Sequence, residues 1–86
     1  MSEDETERVW LVYREYTDKG LLDLTYATPD GDRVLSRQRS LNAGDPTAAV
    51  DADPADLEPV EDPADRKRYG QEASRMRDDH GPDERV

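Results

Sequence analysis

The chain of 86 residues contains no cysteine, no phenylalanine and a single histidine, His80. The absence of cysteine excludes disulfides, thiolate zinc sites, iron–sulfur clusters and cysteine nucleophiles. One histidine leaves no second imidazole for a histidine-rich metal site. No apolar run approaches the roughly 20 residues that span a bilayer, and the sequence SEDE at residues 2–5 is acidic where a signal peptide is basic. We therefore expect a soluble, cytoplasmic protein with no cofactor and no membrane association.

Large aliphatic side chains are also scarce. Leucine and valine together number thirteen and isoleucine is absent, so the chain as a whole falls below the content of about 20% at which a highly charged sequence is expected to fold. The average misleads, because eight of those thirteen and four of the five aromatic residues lie between residues 8 and 40. The hydrophobic core is predicted there.

What the chain has in excess is acid. Twenty-two Asp and Glu residues oppose twelve Lys and Arg residues, of which only two are lysine, and the net charge is -10. This Asp-rich, Lys-poor composition resembles that of small uncharacterised proteins of haloarchaea, and the resemblance implies a salt-rich habitat but no activity. At 1 M salt the screening length falls to about 3 Å, so the self-repulsion of such a chain is largely removed.

Two turn signals divide the apolar region. Asp18-Lys19-Gly20 and Pro29-Asp30-Gly31 each fit a type I turn closed by a glycine in the left-handed region, the three-residue hairpin loop with a bulge. Strands are predicted over 8–16, 21–28 and 32–40, with Thr17 opposite Leu21 and Thr28 opposite Asp32. The fold class is therefore α+β, built on a three-stranded antiparallel β-meander with one C-terminal helix packed on one face.

The predicted register assigns each strand residue to one of two faces. The core face, on which the helix is expected to dock beside Trp10, Leu24 and Tyr26, comprises Trp10, Val12, Arg14, Tyr16, Leu22, Leu24, Tyr26, Val34, Ser36 and Gln38. The opposite face is mixed, with an Asp23–Arg37 cross-strand pair and apolar residues at its centre. The residues predicted to form an interaction surface on this mixed face are Leu11, Tyr13, Leu35, Arg33, Arg37 and Arg39.

Differences in composition along the chain set the predicted domain bounds. Residues 1–7 are predicted to be a disordered acidic arm, residues 8–81 a single domain and residues 82–86 a tail. Within the domain, residues 41–62 are predicted to be an acidic Asp-Pro segment and residues 63–80 a helix. Asp followed by Pro favours a helix start, because Asp caps free amides and Pro needs none at the first helical position. Single turns are predicted near 46–50 and 54–58, and the third Asp-Pro, at 62–63, starts the helix that ends before Gly81-Pro82.

The chemistry-bearing residues do not form a recognised site. Asp51, Asp53 and Asp56 cluster, but they lack the glycine and distal glutamate of a calcium loop. Glu15 and Asp23 face each other in the predicted register. Because Arg37 lies beside Asp23 in that register, we interpret these residues as a row of charges on a solvent-exposed face. His80 falls at a helix C-terminus, where a positive charge is favourable. No metal site, catalytic residue or enzymatic activity is predicted.

Two functions remain open. The first is a non-enzymatic interaction or accessory protein that self-associates or binds a protein through the mixed sheet face, with a homodimer favoured because one helix covers only one face of a sheet. Otherwise residues 41–60 cover that second face through Val50, Leu57 and Val60. The alternative is a nucleic-acid or nucleotide-binding module that uses Arg33, Arg37 and Arg39, although a net charge of -10 repels phosphate at long range.

Overall fold

The computed structural model describes residues 6–86 as one α+β unit. The strands are β1 (Glu7–Tyr16), β2 (Leu21–Ala27), β3 (Arg33–Ser40), β4 (Ala49–Ala52) and β5 (Glu58–Pro59), and the helix α1 is Pro63–Asp79. The sheet is antiparallel with the order β4-β1-β2-β3-β5. The predicted meander is present as its three central strands, but the prediction of three strands was too few, because two short strands extend the sheet at its edges.

The first hairpin has the predicted form. The amide of Thr17 donates to the carbonyl of Leu21 at 2.9 Å, and the amide of Gly20 donates back to Thr17 at 3.3 Å. Gly20 has φ 74°, the left-handed conformation that glycine adopts without steric penalty. The predicted register is correct from Tyr13 to Tyr16, where Glu15 lies opposite Asp23.

The second hairpin is longer by one residue than predicted. The amide of Thr28 donates to the carbonyl of Arg33 at 3.0 Å, so the loop contains residues 29–32. The Asp30 carboxylate accepts from the Thr28 hydroxyl and, at 2.9 Å, from the Asp32 amide, and these two bonds hold its pKa below the usual value. The prediction that Thr28 faces Asp32 was wrong, and a one-residue shift moves every β3 side chain to the other face.

A β-bulge in β1 changes the faces a second time. The pairing with β2 shifts between Leu11 and Tyr13, so Leu11 lies opposite Tyr26 while Tyr13 lies opposite Thr25. A bulge inserts one residue and reverses the alternation of side chains beyond it. Leu11 therefore shares a face with Leu24, whereas the prediction placed these two residues on opposite faces.

We call the two faces of the sheet the leucine face and the helix face. The buried cluster on the leucine face contains Val9, Leu11, Leu22, Leu24, Tyr26, Leu35, Ala52 and Leu57. The cluster on the helix face contains Trp10, Ala27, Ala48, Ala49 and Ala73, with Tyr69 and Met76 packed against it. The helix docks beside Trp10 as expected, but Leu24 and Tyr26 belong to the other face.

The acidic segment covers part of the leucine face. Chain order takes it from β4 at one edge of the sheet to β5 at the other, and Leu57 packs with Leu11 and Leu35 on the way. Asp53 caps a short turn at Pro54–Asp56 by accepting from the amide of Ala55 at 2.9 Å, as its Asp-Pro signal predicts. The turn predicted near 46–50 is absent, because β4 begins at Ala49. Of the three residues predicted to cover the second face, Leu57 belongs to the buried cluster, Val50 packs against it from β4, and Val60 is buried outside it.

The helix starts as the sequence predicts. Asp62 accepts from the amide of Ala64 at 2.8 Å, and Pro63 occupies the first position. Gly70 faces the second hairpin so closely that a Cβ there would lie 3.1 Å from the carbonyl oxygen of Asp30, and a Cβ on Gly31 would lie 2.0 Å from that of Arg66. The backbones of the helix and of the second hairpin are therefore in direct contact, which fixes the position of α1 over β1 and β2.

The last residues are tied to the sheet. The amide of Ala48 donates to Glu84 at 2.7 Å and the amide of Val86 to Pro46 at 2.9 Å, and Val86 packs against both clusters. Residues 82–86, predicted as a tail, thus pair with the segment that leads into β4. Of the predicted acidic arm, residues 1–5 lie outside the described residues, and Glu7 pairs with Ala52 as the first residue of β1.

Candidate functional site

The six residues predicted to form an interaction surface do not lie on one exposed face. Leu11 and Leu35 are each only 3% exposed and lie in the buried cluster of the leucine face. Tyr13 is 54% exposed, but the bulge places it on the helix face. Arg33 is occupied by an ion pair with Glu7. Of the six, only Arg37, which is exposed, and Arg39, which is half-buried, remain together on one face outside the buried cluster and free of an ion pair among residues 6–86.

A residue that the prediction assigned to the other face joins these two arginines. Across the central strands, Arg14, Leu24 and Arg37 form one cross-strand row, and Tyr16, Leu22 and Arg39 form the next. Opposite residues of antiparallel strands share a face. We call the surface formed by Arg14, Tyr16, Arg37 and Arg39 the arginine patch; it lies beyond the part of the leucine face where Leu57 packs.

The three arginines affect the electrostatics of a buried side chain on the same face, Tyr26. Burial raises the pKa of Tyr26, and the charges of Arg39, Arg14 and Arg37 act in the opposite direction. The strand register places all three arginines on the leucine face, the same face as Tyr26. The patch is therefore a concentration of positive charge on a chain whose net charge is -10.

None of these three arginines has a carboxylate partner within residues 6–86. Elsewhere in that range five arginines form ion pairs with carboxylates, at positions 8, 33, 68, 75 and 77. Arg39 donates from Nη2 to the carbonyl of Ala43 at 2.9 Å, while its Nε is buried without a hydrogen-bond partner. The expected pair of Arg37 with Asp23 was wrong, since Asp23 accepts from Gln38 at 2.8 Å on the helix face.

The patch is bordered by an open strand edge. β5 pairs only with Arg33 and Val34, so the part of β3 that carries Arg37 and Arg39 has β2 on one side and no strand on the other, among the residues described. Tyr16 is 64% exposed and Leu41, just after β3, is 42% exposed. The surface thus combines positive charge, exposed apolar area and unpaired backbone groups.

The other candidate groups do not assemble into a site. No three His, Asp or Glu side chains within residues 6–86 lie close enough together to hold a metal ion. His80 pairs with Glu84, and this hydrogen bond lowers the pKa of the Glu84 carboxyl. At the start of the helix, Arg68 pairs with Asp65 and lies over the Tyr69 ring, 5.3 Å from its centroid. No helix of this range is long and apolar enough to cross a membrane.

Sequence reasoning missed Arg14 because it placed the β3 arginines on the wrong face. The signal that locates them correctly is the sequence after Thr28, in which the Asp30 side chain can accept from the amide two residues later. That contact favours a four-residue loop and thereby turns Arg37 and Arg39 toward Arg14.

The fold and the surface define a small α+β protein with a five-stranded antiparallel sheet, one face of which carries an arginine patch that has no carboxylate partner among residues 6–86. The chain belongs to the DUF7967 family, a family of unknown function, whose profile matches residues 3–86. No curated protein and no solved structure matches the chain.

Proposed function

We propose that this is a non-enzymatic interaction protein that binds an acidic protein partner through the arginine patch. The observation that carries the proposal is the grouping of Arg14, Arg37 and Arg39 on one face without a carboxylate partner in residues 6–86, in a chain with 22 acidic residues. Arg37 and Arg39 are two residues apart on β3 and Arg14 lies one strand beyond β2, so the three charges repel one another at moderate range without a neutralising carboxylate. A carboxylate-bearing partner removes that repulsion and forms charge-assisted hydrogen bonds.

An acidic protein fits the patch better than a nucleic acid does. Nucleic-acid binding gains much of its affinity from phosphate contacts that weaken steeply as salt rises, and the composition suits a salt-rich environment. The patch also offers apolar area at Tyr16, the exposed Leu41 follows directly after β3, and the patch borders an open strand edge; none of these features depends on long-range charge. These features match a polypeptide, whose backbone and side chains can use them.

A second copy of the chain fits less well. A symmetric face-to-face dimer would bring the arginines of one copy against those of the other, and like charges in contact are unfavourable. Leu11 and Leu35, which the sequence suggested as the apolar centre of a dimer, are already buried in the single chain. The proposal therefore favours a different, acidic partner over the homodimer.

The test compares two triple variants of equal charge. Arg14, Arg37 and Arg39 are changed to glutamine in one protein; Arg68, Arg75 and Arg77, whose side chains are 65%, 72% and 51% exposed on the helix, are changed to glutamine in the control. Binding of fluorescent poly-L-glutamate is measured by anisotropy at about 0.1 M and about 1 M KCl, where the Debye lengths are about 10 and 3 Å. The patch variant is expected to bind at least about tenfold more weakly at both salts, because charge-assisted bonds are lost.

The control variant is expected to retain binding within about threefold at the higher salt, where the effect of net charge is screened. Equal losses in the two variants would show that net charge alone, and not the patch, attracts the probe. The same titration with a single-stranded oligothymidylate decides the alternative: if it binds more tightly than poly-L-glutamate and loses affinity only in the patch variant, the partner is a nucleic acid.

A further inference from the structure

We infer that the acidic partner binds as an extended strand along the open edge of β3, adding a sixth strand to the sheet beside the arginine patch. This inference rests on the proposed function and specifies how the partner is held. It adds backbone hydrogen bonds to the contacts that the side chains make. Strand addition of this kind is an established mode of peptide recognition, in which backbone bonds provide affinity and alternate side chains provide specificity.

The backbone of β3 has donors and acceptors available for such a strand. At one end of β3 the amide of Thr28 donates to Arg33 at 3.0 Å, and at the other the amide of Leu41 donates to Gly20 at 3.2 Å. Hydrogen-bonded and non-hydrogen-bonded pairs alternate along an antiparallel ladder, so the odd-numbered residues of β3 bond to β2. The backbone groups of the even-numbered residues, Ser36, Gln38 and Ser40, therefore point away from β2, toward the open edge.

The edge is open where the arginines are. β5 pairs with Arg33 and Val34 and then ends, which leaves residues 36–40 without an outer partner among the residues described. On the leucine face, the side chains of this stretch are Arg37 and Arg39. On the helix face they are polar, with Gln38 bonded to Asp23. An added strand would thus meet positive charge on one face and neutral polar groups on the other.

This arrangement specifies a pattern in the partner. Residues directly opposite one another on antiparallel strands lie on the same face, and opposite charges there stabilise the pair. A segment that places carboxylates two residues apart meets both Arg37 and Arg39, while the residue between them faces Gln38 and the flanking residues face Ser36 and Ser40. The partner is therefore an acidic segment in which Asp or Glu alternates with small polar or β-branched residues.

The same arginines oppose pairing of β3 with a second copy of itself. Antiparallel pairing around a two-fold axis at or next to Gln38, the registers that join the most of this edge, would place Arg37 or Arg39 of one copy opposite an arginine of the other. Charged side chains on an exposed edge are a recognised protection against edge-to-edge association. The edge thus rejects its own copy and accepts a strand of opposite charge.

The experiment uses three forms of one peptide, an alternating Glu-Thr nonapeptide labelled with fluorescein. One form is unmodified, one is N-methylated at the threonines, and one is N-methylated at the glutamates. If the glutamates lie opposite Arg37 and Arg39, the threonine amides point toward β3 and the glutamate amides point away. Methylation of the threonines is therefore expected to weaken binding at least about tenfold, and methylation of the glutamates by no more than about threefold.

A pair of protein variants tests the same bonds from the other side. Gln38→Pro removes an amide that points to the open edge while leaving the β2–β3 ladder complete, and proline is tolerated at strand edges. Gln38→Thr keeps the amide and serves as its control. Loss of binding is expected for Gln38→Pro alone. Should Gln38→Pro fail to fold by circular dichroism, the methylated peptides decide the question on the unmodified protein.

The outcomes separate this inference from the proposed function. If both methylated peptides bind alike while the variant lacking Arg14, Arg37 and Arg39 loses the unmodified peptide, the patch binds acidic chains but not by strand addition, and the inference is overturned. If that variant binds the peptide as tightly as the unmodified protein, the proposed function fails as well. A doubling of mass by light scattering without peptide, abolished by Gln38→Pro but not by Gln38→Thr, would instead identify a second copy as the occupant of the edge.

Discussion

The close crossing of the helix and the second hairpin gives a prediction that two glycines test against each other. Gly20 and Gly31 have almost the same conformation, with φ 74° and 76°. A Cβ at Gly20 would meet nothing within 4 Å, whereas a Cβ at Gly31 would lie 2.0 Å from the carbonyl oxygen of Arg66 and 2.6 Å from the amide nitrogen of Gly70. Both of these atoms belong to the helix backbone, so no side chain can move aside.

The expected magnitudes follow from that difference. Alanine at Gly20 carries only the penalty of the left-handed conformation, about 1–2 kcal/mol. Alanine at Gly31 carries the same penalty and also forces the helix away from the hairpin, which adds about 1–3 kcal/mol, the usual range for overpacking. In a domain of this size about 1 kcal/mol corresponds to about 4–8 °C in Tm. Gly31→Ala is therefore expected to melt about 4–24 °C below Gly20→Ala.

The assay is thermal and urea unfolding of the two variants and the unmodified protein, followed by circular dichroism in one buffer. A common m-value would show that each variant unfolds from a native state of similar compactness. If Gly31→Ala and Gly20→Ala lose the same stability, the backbone of α1 does not cross the hairpin at this point, and the placement of the helix over β1 and β2 is refuted.

Two further predictions concern the cover of the leucine face and the acidic surface. Leu57→Ala is expected to lower the free energy of unfolding by about 2–3 kcal/mol, because Leu57 is 8% exposed and packs on the leucine face. The matched change Leu41→Ala, at a residue that is 42% exposed, is expected to change it by no more than about 0.5 kcal/mol. Similar losses for the two variants in urea unfolding would contradict the covering role of residues 53–57. The Tm is expected to rise as KCl is increased from about 0.1 M to about 1 M, because screening relieves the repulsion within a chain of net charge -10, and a circular-dichroism midpoint that stays constant or falls would remove the halophilic interpretation.

The elements that the sequence predicts well are those with local signals. The strand and helix bounds agree with the structure to within a residue or two, because turn glycines such as Gly20 and a cap such as Asp62 act over three or four residues. The two edge strands have no such signal. β5 contains two residues, one of which is Pro59, and β4 is read as a helix start when Asp45-Pro46 is considered alone. Both exist because neighbouring strands offer backbone partners, which is information from the tertiary structure.

The site was harder to predict than the fold, because the face on which a strand side chain lies changes whenever a loop or strand is longer by one residue than predicted. A bulge near Val12 and a fourth loop residue at Asp32 each reverse the alternation of side chains in part of the sheet. The composition of each strand is unchanged by these shifts, so hydrophobic patterning alone detects them weakly. Leu11 and Leu35 consequently moved from the predicted surface into the core.

One loop residue therefore determines what the β3 arginines can contact. In a three-residue loop Arg37 would lie beside Asp23, and the two charges would neutralise each other within the chain. The fourth residue places Gln38 beside Asp23 and turns Arg37 to the face that already carries Arg14. Within residues 6–86 the arrangement forms no ion pair at Arg37 and gathers like charges next to an open edge, and this is why we propose that carboxylates from another chain lie along that edge.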